Sequence, residues 1–77
     1  MAEGDNIVPI KRSVMISGHR TSISLETAFW SELKSLAESR HQSINALITE
    51  IDHQRRCNLS SALRLFVLEQ LKAQPNQ

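Results

Sequence analysis

A mainly α-helical fold with a short β-ribbon, completed by a second copy of the chain, is what this sequence predicts. Three observations carry that expectation. A chain of 77 residues buries too little apolar surface to be comfortably stable without a disulfide, a metal or a partner subunit. Residues 11–25 are rich in Ser, Thr, Val and Ile and alternate with period two, the pattern of a strand. Beyond residue 25 the apolar residues recur at helical spacing in three successive stretches, which predicts three short helices.

Composition narrows the class. Cys57 is the single cysteine, so neither an intrachain disulfide nor a cysteine-cluster zinc site is expected, and a reducing cytoplasm is the natural compartment. No stretch approaches the roughly 20 apolar residues of a membrane span, and residues 1–9 lack the basic and apolar regions of a signal peptide. The expected protein is soluble, cytoplasmic and free of membrane partners. Formal net charge is only +1, yet Lys11, Arg12, His19 and Arg20 share a ten-residue window without an acid. On the next segment Glu26, Glu32 and Glu38 outnumber Lys34. A basic entry segment leading into an acidic helix implies two faces with different electrostatic roles.

Along the chain, residues 1–10 carry Gly4, Asp5, Asn6 and Pro9 without amphipathic period and read as a flexible arm. The strand-like region that follows has a parity problem. Val14 and Ile16 are apolar at even positions, whereas Thr21, Ile23 and Leu25 form the apolar set at odd ones. One regular strand cannot place both sets on one face, because successive side chains alternate. Ser17-Gly18 is where the register breaks, by a tight turn or a bulge, leaving residues 13–16 and 20–24 as separate extended pieces. On the second piece Arg20, Ser22 and Ser24 face away from Thr21, Ile23 and Leu25.

Residues 25–40 place Phe29, Leu33, Leu36 and Ala37 on one helix face, with Ser24 or Glu26 as the entry cap. Trp30 either extends this core stripe or covers its rim. The helix should stop near Arg40-His41-Gln42. Ser43 is a good N-cap for a second helix with the stripe Ile44, Leu47, Ile48 and Ile51,. Asn58, Leu59, Ser60 and Ser61 then interrupt the pattern and offer several caps for a third helix over residues 62–72. That helix is apolar nearly all round, so Leu65 and Leu68 are expected to meet either a partner subunit or the Trp30 region. The folded domain is therefore expected over residues 11–72, with a frayed tail at 73–77.

The run Gly18-His19-Arg20-Thr21-Ser22-Ile23-Ser24-Leu25-Glu26, followed by Phe29-Trp30, resembles the ribbon-helix-helix (Arc/MetJ-like) DNA-binding superfamily, in its RHH-4-type branch. So do Ser43-Ile44-Asn45-Ala46-Leu47-Ile48-Thr49-Glu50-Ile51-Asp52 and Asn58-Leu59-Ser60-Ser61-Ala62-Leu63-Arg64. The likeness extends from Lys11 to about Lys72. It implies an intertwined homodimer in which two chains pair the strand ending at Ser24 into one antiparallel ribbon, with four helices packed behind it and an additional C-terminal helix on each chain. The implied dimer core is Thr21, Ile23, Leu25, Phe29, Leu33, Leu36, Ile44, Leu47, Ile48 and Ile51. The resemblance also implies a bacterial-type, Arc-like transcription regulator, a repressor, whose ribbon enters the major groove of double-stranded DNA. Counting back from Ser43-Ile44-Asn45, the base-reading positions fall on Arg20, Ser22 and Ser24, the residues that the strand parity already turns outward. Ser43, Ile44 and Asn45 would anchor a DNA phosphate at a helix start, with Lys11 and Arg12 adding phosphate contacts. One departure concerns the turn between the first two helices. Relatives commonly place glycine there, and this chain has Arg40-His41-Gln42.

Other chemistries find less support. No nucleophile elbow or phosphate loop organises the Ser, His and acidic residues, and the chain has little room for an enclosed pocket, so no enzyme and no cofactor is expected. His53 and Cys57 stand at i, i+4, but a structural zinc takes four ligands. The main competitor is an antitoxin-like or adaptor module that docks a protein partner on the apolar third helix. On DNA, homodimers of the first kind are open to higher assembly.

Overall fold

The computed structural model describes residues 7–73 of the chain. Two strands, β1 (Pro9–Ile16) and β2 (His19–Glu26), are followed by three helices, α1 (Thr27–Ser39), α2 (Ile44–Gln54) and α3 (Leu59–Lys72). The strands form an antiparallel hairpin whose pairing runs from Pro9 opposite Glu26 to Ile16 opposite His19. Ser17 and Gly18 make the connection with φ values of 50° and 82°. Positive φ at both central residues is the signature of a type I′ turn, whose twist matches that of the flanking strands.

The hairpin resolves the parity problem. Directly opposed residues of an antiparallel pair share a face, so Val14 with Thr21 and Arg12 with Ile23 lie on the same side. The even set of β1 and the odd set of β2 therefore meet. Val14, Ile16, Ile23 and Leu25 are all buried. One edge of the second strand is thus paired within its own chain; the resemblance adds a strand from a second chain. The extended pieces are also longer than the expected 13–16 and 20–24. Pro9 and Ile10, expected in the arm, open β1; residues 1–6 of that arm and 74–77 of the expected tail lie outside the described residues.

Each helix boundary has a local cause. At the start of α1, Glu26 occupies the N-cap position but its side chain makes no capping bond, and Ser24, the other candidate, is within β2. The helix ends on His41 at φ 58°. There the Gln42 N–H donates to Ala37 O at 2.9 Å and the His41 N–H to Glu38 O at 3.0 Å, the bonding of a Schellman cap. Histidine thus fills the left-handed position where glycine was the implied residue, at some conformational cost. Ser43 caps α2 by accepting the Ala46 N–H at 3.0 Å. Of the several choices before α3, Asn58 is the cap, its Oδ1 accepting the Ser61 N–H at 2.9 Å.

The core lies between the inner face of the hairpin and the three helices. Leu33 and Ala37 of α1 and Leu47, Ile48 and Ile51 of α2 meet Leu59, Ala62, Leu63 and Val67 of α3 there. Of the residues implied as a two-chain core, Ile23, Leu25, Leu33, Leu47, Ile48 and Ile51 are buried within this one chain. Thr21, Phe29, Leu36 and Ile44 are half-buried. Trp30 packs on the core's rim. The third helix supplies the rest of the cover through Leu59, Ala62, Leu63 and Val67. Leu65 and Leu68 remain 53% and 49% exposed, so neither is covered by the Trp30 region.

Candidate nucleic-acid interface

The same register that buries one side of the hairpin defines the other. Lys11 opposes Ser24, Ser13 opposes Ser22 and Met15 opposes Arg20, and all of these residues are exposed. The face carries two cations and no carboxylate between Lys11 and Ser24. Glu26, at its far end opposite Pro9, is engaged by Arg64, whose Nε donates to Oε1 at 2.9 Å and whose Nη2 donates to Oε2 at 3.2 Å. Arg20, Ser22 and Ser24 thus point together away from the core.

The bidentate Arg64 fork ties the end of β2 to α3. Its hydrogen bond holds the Glu26 carboxyl below the usual carboxylate range, aided by a backbone hydrogen bond and by the guanidinium charge, against a smaller opposing effect of burial. A carboxyl lowered in the folded state stabilises the fold above its unfolded pKa, and that contribution is lost as pH falls through the lowered value. The melting temperature should therefore drop on acidification through and below the ordinary carboxylate range. Glu26→Gln should show a shallower drop over that window; identical pH profiles for the two proteins would contradict the assignment.

Two side chains from the helices reach the edges of the hairpin. Asn45, in the first turn of α2, accepts the Met15 N–H on its Oδ1 at 3.2 Å. Ser60, in the first turn of α3, accepts the Ser24 N–H on its Oγ at 3.3 Å. Both backbone donors belong to the pairs that do not exchange ladder bonds, so their N–H groups point out of the ribbon edge. These contacts fix how the ribbon sits on the helices.

The Asn45 contact matters most for the site. It seats the start of α2 beside β1, and Ser13, Met15, Arg20 and Asn45 line one shallow depression with the backbone of Val14. Because Ser43 Oγ takes the Ala46 N–H, the N–H groups of Ile44 and Asn45 are those that project from the helix end, where they and the helix dipole favour an anion. Asn45 of the expected phosphate seat and the expected reader Arg20 thereby line one depression.

Arg12 is placed elsewhere. It lies on the inner face opposite Ile23, with its guanidinium 4.7 Å from the centre of the Trp30 ring and its Nη2 donating to Thr27 Oγ1 at 3.5 Å. A guanidinium stacked on an aromatic face contributes by cation–π attraction and packing, and this one is directed away from Lys11 and Arg20. Ser13 and Met15 join the outer face although the sequence reading did not single them out. The signal was available, since odd positions must face outward once Val14 and Ile16 face in. His53 and Cys57 do not share a helix face: α2 ends at Gln54, and His53 Nε2 lies 3.4 Å from Ser17 Oγ at the hairpin turn. Among the described residues no group of three or more His, Cys, Asp or Glu side chains is arranged to hold a metal, and no helix is long and apolar enough to cross a membrane.

A two-stranded ribbon with a polar, cationic outer face, backed by helices whose second member starts beside it, is the architecture of small DNA-binding domains that present strands to a groove. A family model described as a ribbon-helix-helix domain matches residues 9–71. The chain belongs to the ribbon-helix-helix family, whose members are DNA-binding domains that typically dimerise. No curated protein and no solved structure gives a significant match.

Proposed function

We propose that this protein is a sequence-specific DNA-binding transcription regulator, a repressor acting by occupancy of its site, that lays the outer face of the β1–β2 hairpin in the major groove. The observation that carries this reading is the convergence of Arg20 with Asn45, in the first turn of α2, around one depression on a face that bears no carboxylate between Lys11 and Ser24. The groove, about 12 Å wide, admits a two-stranded ribbon. Arg20 forks onto guanine O6 and N7, Ser22 and Ser24 donate to or accept from neighbouring base edges, and successive readers stand about 7 Å apart, roughly two base-pair steps. Ser43, Ile44 and Asn45 hold a phosphate and set the ribbon's depth, and Lys11 adds a second backbone contact. Arg12 has no part in this face.

Selection of bound duplexes from a random pool tests the reading and returns the site. With Lys11 and the α2 start of each of two chains on phosphates, log K should fall against log salt with a slope of about −2 to −4. A salt-independent affinity would count against the whole assignment.

The acting unit in this proposal is a homodimer, as is typical of the family, each chain bringing its own ribbon to one half-site. Sedimentation equilibrium at low micromolar concentration should give twice the chain mass. A monomer throughout the range would remove the dimer from the proposal while leaving the ribbon intact. The exposure of Leu65, Leu68 and Leu71 on α3 favours one second reading, an antitoxin-like or adaptor module with a protein partner on that helix. An empty duplex pool would shift the assignment to it.

A further inference from the structure

Met15 is the one apolar side chain on the outer face between Lys11 and Ser24. It is 44% exposed, and nothing in the core needs it, because Val14 and Ile16 on either side of it already take the inner face. Its position is held rather than loose. The backbone N–H is tied to Asn45 Oδ1 at 3.2 Å, which locks this point of β1 to the helix end that anchors phosphate in the proposed function. Across the ribbon it opposes Arg20 in a pair that does not exchange ladder bonds. In such a pair the two Cβ atoms lie about 4.5–5.5 Å apart.

We propose that Met15 is a second specificity-determining residue, reading the C5-methyl group of a thymine within one or two base pairs of the guanine that Arg20 reads. This rests on the DNA-reading function proposed above and deepens it. The thymine methyl is the apolar feature of the major-groove edge and is read by apolar side chains. An unbranched, polarisable thioether adapts its rotamers to such a target. The flanking residues on the face, Lys11, Ser13, Arg20 and Ser22, are cationic or hydroxylic, a setting suited to a polyanion with a local apolar spot and poorly suited to an apolar protein surface. Reading therefore uses both strands of the hairpin, an arginine on β2 and a methionine facing it on β1.

The test compares thymine with deoxyuridine, which differ by that methyl alone. Duplexes recovered from the random pool are remade with single thymines replaced, and the affinities of the full-length protein, Met15→Ala, Met15→Leu and Met15→Gln are measured at one salt concentration. For the unmodified protein one replacement near the guanine should weaken binding about fourfold, the worth of one buried methyl-sized group. Met15→Leu should keep that discrimination. Met15→Ala and Met15→Gln should bind both duplexes alike, with circular dichroism unchanged. A replacement that weakens all four proteins equally, or no replacement that matters, overturns the role of Met15 while leaving DNA binding in place. Failure to recover any duplex overturns the DNA-reading function itself, and this inference with it.

Discussion

Ile23→Asp should leave the chain unfolded at room temperature, while Arg20→Ala, three residues away on the same strand, should melt like the unmodified protein. Ile23 is 4% exposed and part of the core, so aspartate there places a carboxylate among Val14, Leu25 and the helices. An unpaired buried charge costs several kcal/mol, against a total stability on the order of 5–10 kcal/mol for a domain of this size. Arg20 is exposed on the opposite face, and a surface substitution shifts stability by less than about 0.5 kcal/mol. Its expected loss is in binding, about 1–3 kcal/mol at the base it reads, which is roughly 5- to 150-fold. Circular dichroism melts paired with DNA titrations decide the matter. An unfolded Arg20→Ala beside a folded Ile23→Asp would mean that the two faces are reversed.

The second large effect is expected on α3. Leu63 is fully buried and Leu68 is 49% exposed, one helical turn and a residue apart. Leu63→Ala should destabilise the fold by about 2–5 kcal/mol, the cost of lost burial plus the cavity left behind. Leu68→Ala should stay within about 0.5 kcal/mol. Urea unfolding curves with unchanged slope would give both numbers. If Leu63→Ala were silent, α3 would be an appendage and not part of the core, and the one-chain core described above would be wrong.

How legible these features were in the sequence depended on which signal was allowed to dominate. The opposite parities of Val14, Ile16 and of Thr21, Ile23, Leu25 required a break at Ser17-Gly18, and a two-residue turn there is what turns both sets inward. The residues leave a tight turn and a bulge equally open at that point, and the resemblance, which pairs the strand with one from another chain, does not choose between them. Arg12 shares its parity with Val14 and Ile16, so its inward direction was readable. Its charge and its neighbour Lys11 argued the other way, and charge says nothing about which side of a strand a residue occupies. The cap at Ser43 was visible because it depends on local chemistry, and the resemblance pointed to a left-handed residue in the turn that holds His41. On α3, a helix apolar nearly all round carries no hydrophobic stripe from which to choose its buried face. Only packing against α2, α1 and β2 selects Leu59, Ala62, Leu63 and Val67 over Leu65 and Leu68. The convergence of Arg20 with Asn45 is a product of α2 packing on β1, since the two residues are separated in sequence by the whole of α1.

The two-residue turn at Ser17-Gly18 has a consequence for mass action. A ribbon assembled from two chains is lost whenever the chains part, so its population falls with dilution. Strands joined by a tight turn meet at a concentration set by the linker instead, and isolated hairpins close in about 1–10 μs. The outer face proposed to read DNA is accordingly a first-order property of the chain. It forms at a rate independent of protein concentration, whereas the pairing of two such faces in the proposed homodimer still falls with dilution.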